Sequence, residues 1–421
     1  MNFLFLSNGE SLLQLSFYLI FHKFLYIKVY LEEVEANPRT RNYYYDQGIA
    51  PLHVAAYSGS VSLYEEILKK SQIQNPESNY GKTPLYIAAG KGHFLLCKTI
   101  IESIQDKALE ILPTALIKGK NPGYSDVCAA LFEAARNGHV EVCKFIIDIF
   151  DDKNPKEPNA NGRKETPLHV ASRNGHLEVC KLIMEKLTDK NPKAEDLSTP
   201  LHEAALKGHL EICQLILDNV DEKNPARINL YGEEEDDYWC QGGKTPLHEA
   251  AKNGHVEVVK IIMDSVAEKN PKAGNGKTPL HVASQNGHLE VCKVIIAQVS
   301  DKNPECEMTE TPLHEAAFLG HLEICQLILN NIEDKNFLRD WDGRQHLENA
   351  AQNGHLEICK LLMSCVEVEN QSSVARDTFN RVKGLYRNTR EDMEVRQYLQ
   401  TYFENSESLN EAGPAKRFKS L

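Results

Sequence analysis

The sequence predicts an all-α solenoid, built from stacked helix-turn-helix units that short β-turn fingers connect. Three observations predict this fold. The string Thr-Pro-Leu-His at residues 166–169, followed by Gly-His at 175–176, recurs with small changes along the chain. The copies are evenly spaced, and each contains two stretches with apolar residues at helical spacing. This pattern is typical of repeat proteins, in which neighbouring units bury one continuous core.

The histidine after the glycine serves as the phase mark of each repeat. Ser60 stands in for it in an early copy, and the later marks are His93, His139, His176, His209, His255, His288, His321 and His355. From Ser60 onward the intervals are 33, 46, 37, 33, 46, 33, 33 and 34 residues. A base period of 33 with two insertions of 13 and one of 4 indicates a solenoid with inserted loops, because extra loop residues cost little closure entropy.

The Thr-Pro pair predicts the start of the first helix in each unit. Threonine caps free N–H groups, and proline suits the first helical position because its missing N–H needs no partner there. A small pair such as Ala204-Ala205 lets neighbouring helices approach closely. The glycine then ends the helix in a left-handed conformation. After the phase mark, apolar residues at helical spacing predict a second, longer amphipathic helix.

The recurring motif is specific. Thr-Pro-Leu-His is intact at 166–169, 199–202, 245–248, 278–281 and 311–314, nearly intact at 50–53 and 83–86, and degraded at 129–132 and 345–348. The chain therefore resembles the ankyrin-repeat family, whose signature is this motif at a period of 33 residues. The resemblance covers about residues 39–370, or about nine repeats, and implies an ankyrin-repeat solenoid with a concave surface that binds other proteins.

One departure from the family concerns the turn after the second helix. The family has a glycine-containing turn there, whereas this chain has Asp-Lys-Asn-Pro, as at residues 189–192. We expect a slightly longer second helix that the proline ends.

Residues 1–38 are expected to form a degenerate N-terminal capping repeat. His22 and Asn37 have the spacing of a phase mark and its following asparagine, and Pro38 comes next as elsewhere. The alternative is a membrane anchor, because 15 of the 21 residues 11–31 are apolar or Tyr. Lys23 and Lys28 inside this stretch disfavour a membrane segment. Residues 1–21 have no good match to a first helix and stay unexplained.

Residues 371–404 are expected to form a C-terminal helical cap, since apolar residues such as Val395 and Leu399 recur there at helical spacing. Residues 405–421 are predicted to be a disordered basic tail. Lys416, Arg417 and Lys419 in this tail resemble a short nuclear-import signal. The alternative is a chance basic run at the end of the chain.

Charge and residue placement argue against several kinds of site. A net charge of −13 repels phosphate, so direct nucleic-acid binding is not expected. The 16 histidines occupy motif positions about 10 Å apart, too far to share a metal ion. Seven of the 11 cysteines stand four residues after a phase mark, where Val259 replaces them once, and are expected to be buried and reduced. We expect no metal, no cofactor, and a cytoplasmic protein that could also enter the nucleus.

Enzyme motifs are not evident. Gly-Lys-Thr at 81–83, 243–245 and 276–278 resembles the end of a phosphate-binding loop, but the required glycine five residues earlier is absent. We expect no catalytic residue and no small-molecule substrate. The acidic segment 232–240 is either a solvated loop or a finger that meets a basic partner.

The resemblance places the binding surface on the turn before each first helix and on the exposed end of that helix. At these positions the chain has the following candidate partner-binding residues: Tyr80, Lys82, Lys91, Arg136, Arg173, Leu206, Lys207, Lys244, Lys252, Met308, Phe318, Leu319, Trp341 and Arg344. Met308, Phe318, Leu319 and Trp341 form an apolar group, and the basic residues would suit an acidic partner. The predicted function is a non-enzymatic adaptor or scaffold for another protein.

Three other functions stay open from the sequence. A nuclear regulator or inhibitor of a transcription-factor-like partner would use the basic tail. A membrane-anchored protein would use residues 1–21, although a membrane is disfavoured. A substrate receptor of a ubiquitin ligase would need a recruiting box after the repeats, and residues 371–421 contain no convincing one.

Overall fold

A computed structural model describes residues 50–70, 75–78, 81–111, 124–150, 152–156, 163–228, 242–332, 341–384 and 389–411. For residues 105–111, 124, 341–344 and 404–411 it describes the backbone alone. The predicted N-terminal capping repeat, the acidic segment 232–240 and the basic run at 416–419 lie outside the described residues. The chain divides into two compact units between Pro155 and Lys156.

The described part of the first unit contains six helices. They are α1 (Pro51–Ser58), α2 (Val61–Lys70), α3 (Pro84–Gly90), α4 (Phe94–Ile111), α5 (Tyr124–Asn137) and α6 (Val140–Ile149). The first helices α1, α3 and α5 pack side by side in one row, and the second helices α2, α4 and α6 pack in another.

The described part of the second unit contains fourteen helices. They are α7 (Pro167–Arg173), α8 (Leu177–Lys186), α9 (Pro200–Lys207), α10 (Leu210–Leu217), α11 (Pro246–Lys252), α12 (Val256–Ser265), α13 (Pro279–Gln285), α14 (Leu289–Gln298), α15 (Pro312–Leu319), α16 (Leu322–Asn331), α17 (Trp341–Gln352), α18 (Leu356–Cys365), α19 (Val368–Val382) and α20 (Arg390–Glu411). Odd-numbered helices contact odd-numbered neighbours, and even-numbered helices contact even-numbered ones. This arrangement confirms the predicted all-α solenoid.

The core lies between the two rows of helices. Ala204 and Ala205 are completely buried, as the close approach of the first helices requires. Cys213 is also buried, and burial raises the pKa of its thiol to about 12. The other cysteines of this slot are equally buried, and so is Val259. The predicted role as small core residues is therefore confirmed.

Most first helices begin at the predicted proline. The hydroxyl of Thr83 accepts a hydrogen bond from Tyr86 N at 3.3 Å, as expected for a cap. At Thr166, by contrast, the hydroxyl lies 2.8 Å from Nδ1 of His169. The same threonine–histidine contact recurs at the starts of α9, α11 and α13. The histidine of the motif thus takes part in capping the helix.

The prediction that proline ends the second helix was wrong. α8 ends at Lys186, and Leu187 is already extended with φ −100° and ψ 145°, well before Pro192. The side chain of Lys190 instead turns back and donates a hydrogen bond to the Met184 carbonyl oxygen. Equivalent lysines bond to the last turn of α6, α10, α12 and α14. A cation at this place satisfies free carbonyl groups and complements the helix dipole.

Helices α19 and α20 pack on each other and on the last repeat, with Val374, Val382, Val395 and Leu399 buried. Two predicted boundaries differ from the structure. α19 begins at Val368, before the expected start at 371. α20 continues to Glu411, into the segment 405–421 that was predicted to be disordered. No glycine or proline interrupts the sequence of α20, so the helix has no local reason to end earlier.

Candidate protein-binding surface

Successive finger turns in the second unit are joined by backbone hydrogen bonds. Glu195 N donates to Arg163 O at 2.9 Å, and Glu307 N donates to Asn275 O at 3.2 Å. Gly276 adopts φ +76° at the tip of its finger, and an added Cβ would lie 2.8 Å from Glu307 N. The next finger therefore approaches so closely that a side chain has no room. The fingers and first helices form one surface, called the finger face below.

The histidine of each intact motif bonds forward to the next repeat. Nδ1 of His248 accepts a hydrogen bond from Thr245 N at 3.2 Å, so Nε2 carries the proton. Nε2 donates to Lys277 O at 3.2 Å, in the next finger. Burial lowers the pKa of His248 to about 4, so the ring is neutral at pH 7. His53, His169, His202 and His281 form the same forward bond.

The phase-mark histidine bonds backward to the preceding repeat. Nε2 of His288 donates to Lys252 O at 2.8 Å, at the end of the preceding first helix. The ring lies over Gly254, whose φ is +75°, and an added Cβ would lie 2.6 Å from Nδ1. His93, His139, His209, His255, His321 and His355 make the equivalent bond. Each of these repeats is thus tied to its neighbours by its own histidines.

The Asp-Lys-Asn-Pro turn has roles that the sequence reading did not assign. Asp189 Oδ1 accepts a hydrogen bond from Asn191 N at 3.0 Å, which closes the turn. Asn191 Oδ1 in turn accepts from Leu201 N at 3.1 Å, in the first turn of α9. The equivalent asparagines cap α3, α11, α13 and α15. The invariable spacing of this asparagine after the phase mark was the signal that could have revealed its role.

A chain of buried charges runs across three fingers of the second unit. Arg163 and Arg227 lie on either side of Asp196, at 3.3 and 3.9 Å. Arg227 also pairs with Glu249 at 2.9 Å. The three acidic side chains Asp196, Glu203 and Glu249 are at most 6% exposed. The sequence reading missed this network, because its members become neighbours only when the repeats stack.

Arg173, a candidate partner-binding residue, belongs to the same network. Its guanidinium pairs with Glu203 at 2.7 Å and with buried Glu165. Burial alone would raise the pKa of Glu203, but the bond to Arg173 and its charge outweigh this and hold the pKa below its ordinary value. The Arg173 charge is therefore largely neutralised within the protein.

The other basic candidates differ in their surroundings. In the first unit Lys82, Lys91 and Arg136 are exposed, and Lys91 Nζ lies 4.6 Å from the centre of the Tyr57 ring. In the second unit Lys207 is exposed, and Leu206, Lys244 and Lys252 are half-buried. Tyr80 lies outside the described residues, and the side chains of Trp341 and Arg344 do as well. Their roles as contact residues stay predictions.

Three apolar candidates are exposed in one repeat. Met308 lies in the finger before α15 and is 65% exposed, and Phe318 and Leu319 at the end of α15 are 46% and 43% exposed. At the corresponding positions the preceding repeat has polar Gln285 and Asn286. Large exposed apolar side chains on one face are typical of contact surfaces.

A family model described as ankyrin repeats (3 copies) matches residues 21–111, 100–196, 131–227, 187–273, 224–306 and 299–373. These overlapping matches span residues 21–373 of the 421, and they agree in position with the stacked helix pairs. The chain belongs to the ankyrin-repeat family. Ankyrin repeats are general protein-interaction modules, so proteins are the expected partners. No curated protein matches the chain.

Two further searches concern the described part of this ankyrin array. Among those residues, no group of three or more His, Cys, Asp or Glu side chains is placed to hold a metal ion. None of the described helices has both the length and the apolar content that crossing a membrane requires.

Proposed function

We propose that this chain is a non-enzymatic adaptor or scaffold that binds a protein partner through its finger face, the concave surface of the ankyrin family. One observation carries the proposal: Met308, Phe318 and Leu319 present three large apolar side chains to solvent in a single repeat. Removing such groups from water on binding would contribute about 25 cal/mol per Å² of apolar surface. The coarser statement, that ankyrin arrays bind proteins, supports the same conclusion.

The upstream part of this face in the second unit contributes differently. Arg163, Arg173 and Arg227 are engaged with buried carboxylates. We therefore assign these arginines to holding the fingers in place, and we assign the main partner contact to the repeat that contains Phe318.

The test compares partner capture by wild type with capture by Phe318→Asp plus Leu319→Asp. A matched control is Val368→Asp, which makes the same chemical change at an exposed apolar residue, 82% accessible, at the start of α19. Circular dichroism and thermal unfolding first establish that both variants fold. We expect a small set of proteins to be lost with the double variant and retained with the control. Equal capture by all three proteins would contradict the proposal.

A further inference from the structure

The finger before α15 is acidic as well as apolar. Its charged groups and their immediate contacts are Glu305, Glu307, Glu310 and Glu315, with Lys272 and Lys277. Four carboxylates against two lysines leave a local charge of −2. This finger is called the acidic finger below, and Met308 lies within it.

Two carboxylates of the acidic finger are available to a ligand. Glu305 and Glu307 are exposed, and neither forms an ion pair within the described part of the chain. Lys272 reaches Glu305 only at its backbone carbonyl, at 3.3 Å. In an earlier finger, by contrast, Glu195 pairs with Lys164 and Asp196 pairs with two arginines. A cationic partner therefore meets uncompensated charge at the acidic finger.

The backbone of the acidic finger is strained. Thr309 has φ +60°, a left-handed conformation that β-branched residues rarely adopt. Gly276 occupies the same place in the preceding finger. The strain costs about 1–2 kcal/mol, and strain of this kind is concentrated at binding sites. A glycine would have suited the fold better, which indicates that the finger does more than connect helices.

The chain itself contains a segment of complementary chemistry. Residues 412–421 read Ala-Gly-Pro-Ala-Lys-Arg-Phe-Lys-Ser-Leu and lie outside the described residues. Phe418 stands among Lys416, Arg417 and Lys419, so an aromatic ring and three positive charges occur within four residues. An apolar anchor flanked by cations is what exposed apolar groups beside free carboxylates would recognise.

Helix α20 directs this segment toward the finger side. Glu391 lies beside Gly354, just before α18, with its Cβ 2.9 Å from where a Gly354 Cβ would be. Further along α20, Tyr398 is close enough to Glu357 and Cys359 for their charges to act on it. α20 therefore runs in the same direction as α18. Second helices point to the side from which the chain enters the next finger, and the 22 residues of α20 extend well beyond the 10 of α18.

The distance to the acidic finger matches the length of the segment. The α19–α20 pair lies two units beyond α15–α16, or about 20 Å at roughly 10 Å per unit. Phe418 follows Glu411, the last residue of α20, by seven residues, which span up to about 24 Å when extended. The segment of the same chain can therefore reach this surface.

We propose that residues 412–421 dock on the acidic finger of their own chain. Phe418 packs against Met308, Phe318 and Leu319, while the three cations face Glu305 and Glu307. The inference rests on the proposed function, because the docked segment covers the same surface that binds the partner. It adds that a partner must displace the segment, so the chain regulates its own binding surface.

The test uses a fluorescein-labelled peptide of residues 412–421 and two full-length proteins. One is wild type, and the other carries Lys416→Ser, Arg417→Ser, Phe418→Ser and Lys419→Ser, which leaves the finger face vacant. Fluorescence anisotropy measures peptide binding. We expect the peptide to bind the tail variant and to bind wild type about tenfold more weakly or worse, because a tethered competitor acts at an effective concentration near the millimolar range.

Three controls keep this test decisive. In the tail variant, adding Phe318→Ser with Leu319→Ser should abolish peptide binding, whereas adding Val368→Ser should leave it unchanged. Glu305→Gln with Glu307→Gln should weaken binding and reduce its dependence on salt. Equal binding to wild type and tail variant, or no binding to either, would overturn the proposal. Self-association of wild type that the tail variant lacks would also overturn it, since the occupant would then be a second copy.

The two proposals fail in distinguishable ways. If the peptide does not bind but partner capture still requires Phe318 and Leu319, then the docked segment is refuted and the proposed function stands. If partner capture is also insensitive to Phe318 and Leu319, the proposed function itself is refuted.

Discussion

Nε2 of His248 donates its hydrogen bond to the Lys277 carbonyl oxygen, 3.2 Å away in the next repeat. The other ring nitrogen accepts from Thr245 N, so both nitrogens of the buried ring are used. Because the same arrangement recurs through the array, the stability of this protein depends on neutral histidines at repeat boundaries.

Replacing one of these histidines should be strongly destabilising. His281→Ala removes a completely buried ring and leaves Thr278 N and Glu310 O without their partner. We expect a loss of about 2–4 kcal/mol in the free energy of unfolding, measured with urea. Lys293→Ala, which removes an exposed lysine paired with Glu290, should change it by less than about 0.5 kcal/mol. A small effect of His281→Ala would show that water can replace the ring.

Stability should also fall as the solution becomes acidic. Burial lowers the pKa of His202 and His281 to about 3 and that of His248 to about 4, from an ordinary 6.5. Below pH 6.5 the unfolded chain binds protons that the folded protein does not, so the free energy of unfolding decreases from there toward pH 3–4. The slope approaches about 1.4 kcal/mol per pH unit for each histidine. Glu315 opposes this in part, because burial raises its pKa.

Urea unfolding at pH 7.5 and pH 5 measures this dependence. Identical midpoints at the two values would contradict the assignment of neutral, buried rings.

The asparagine of the Asp-Lys-Asn-Pro turn should act as a helix cap between repeats. Asn270→Ala removes the acceptor for Leu280 N at 3.2 Å, and we expect a loss of about 1 kcal/mol. Asn286→Ala is the matched control, because that exposed side chain bonds only to Val282 O within its own helix. The control should change thermal stability much less, and equal effects would argue against a capping role.

The finger turns should tolerate glycine replacement unequally. Gly276→Ala puts a Cβ 2.8 Å from Glu307 N and demands φ +76° from alanine, so we expect a loss of about 2 kcal/mol. Gly384→Ala meets nothing within 4 Å, and it should be neutral or slightly stabilising. Differential scanning calorimetry of the two variants provides the comparison, and a neutral Gly276→Ala would mean that adjacent fingers separate easily.

Arg173→Ala should affect folding more than partner binding. The substitution leaves buried Glu165 and Glu203 without their main cation, which costs about 3–5 kcal/mol. Exposed Lys207, removed by Lys207→Ala, should leave stability within about 0.5 kcal/mol. If Arg173→Ala folds normally and loses partner capture, Arg173 is a contact residue as the sequence predicted.

The recurring motif made much of this fold predictable. The Thr-Pro pair located the starts of α7, α9, α11, α13 and α15, and the four-residue offset of cysteine from the phase mark identified core positions. Such features depend on local sequence alone. The apolar candidates Met308, Phe318 and Leu319 were also predictable, because they break a polar pattern at known positions of the repeat.

Other features depend on which residues stacking brings together. Arg227 lies at the edge of a 13-residue insertion, so the phase of the repeat did not align it with Asp196. The end of the second helix was predicted wrongly, because Pro192 attracted attention while the capping lysine, Lys190, did not. Side chains that bond to backbone carbonyl groups leave little trace in a hydrophobic pattern.

The two histidine bonds of a repeat act at opposite ends of its first helix and point in opposite directions. In α11, His248 near the start bonds forward to Lys277 O, while the carbonyl of Lys252 at the end accepts from His288. Sliding of one repeat over the next would stretch both bonds together, so the pair works as a double latch against shear. Tension along the chain should therefore release these repeats one at a time, by peeling rather than by slipping.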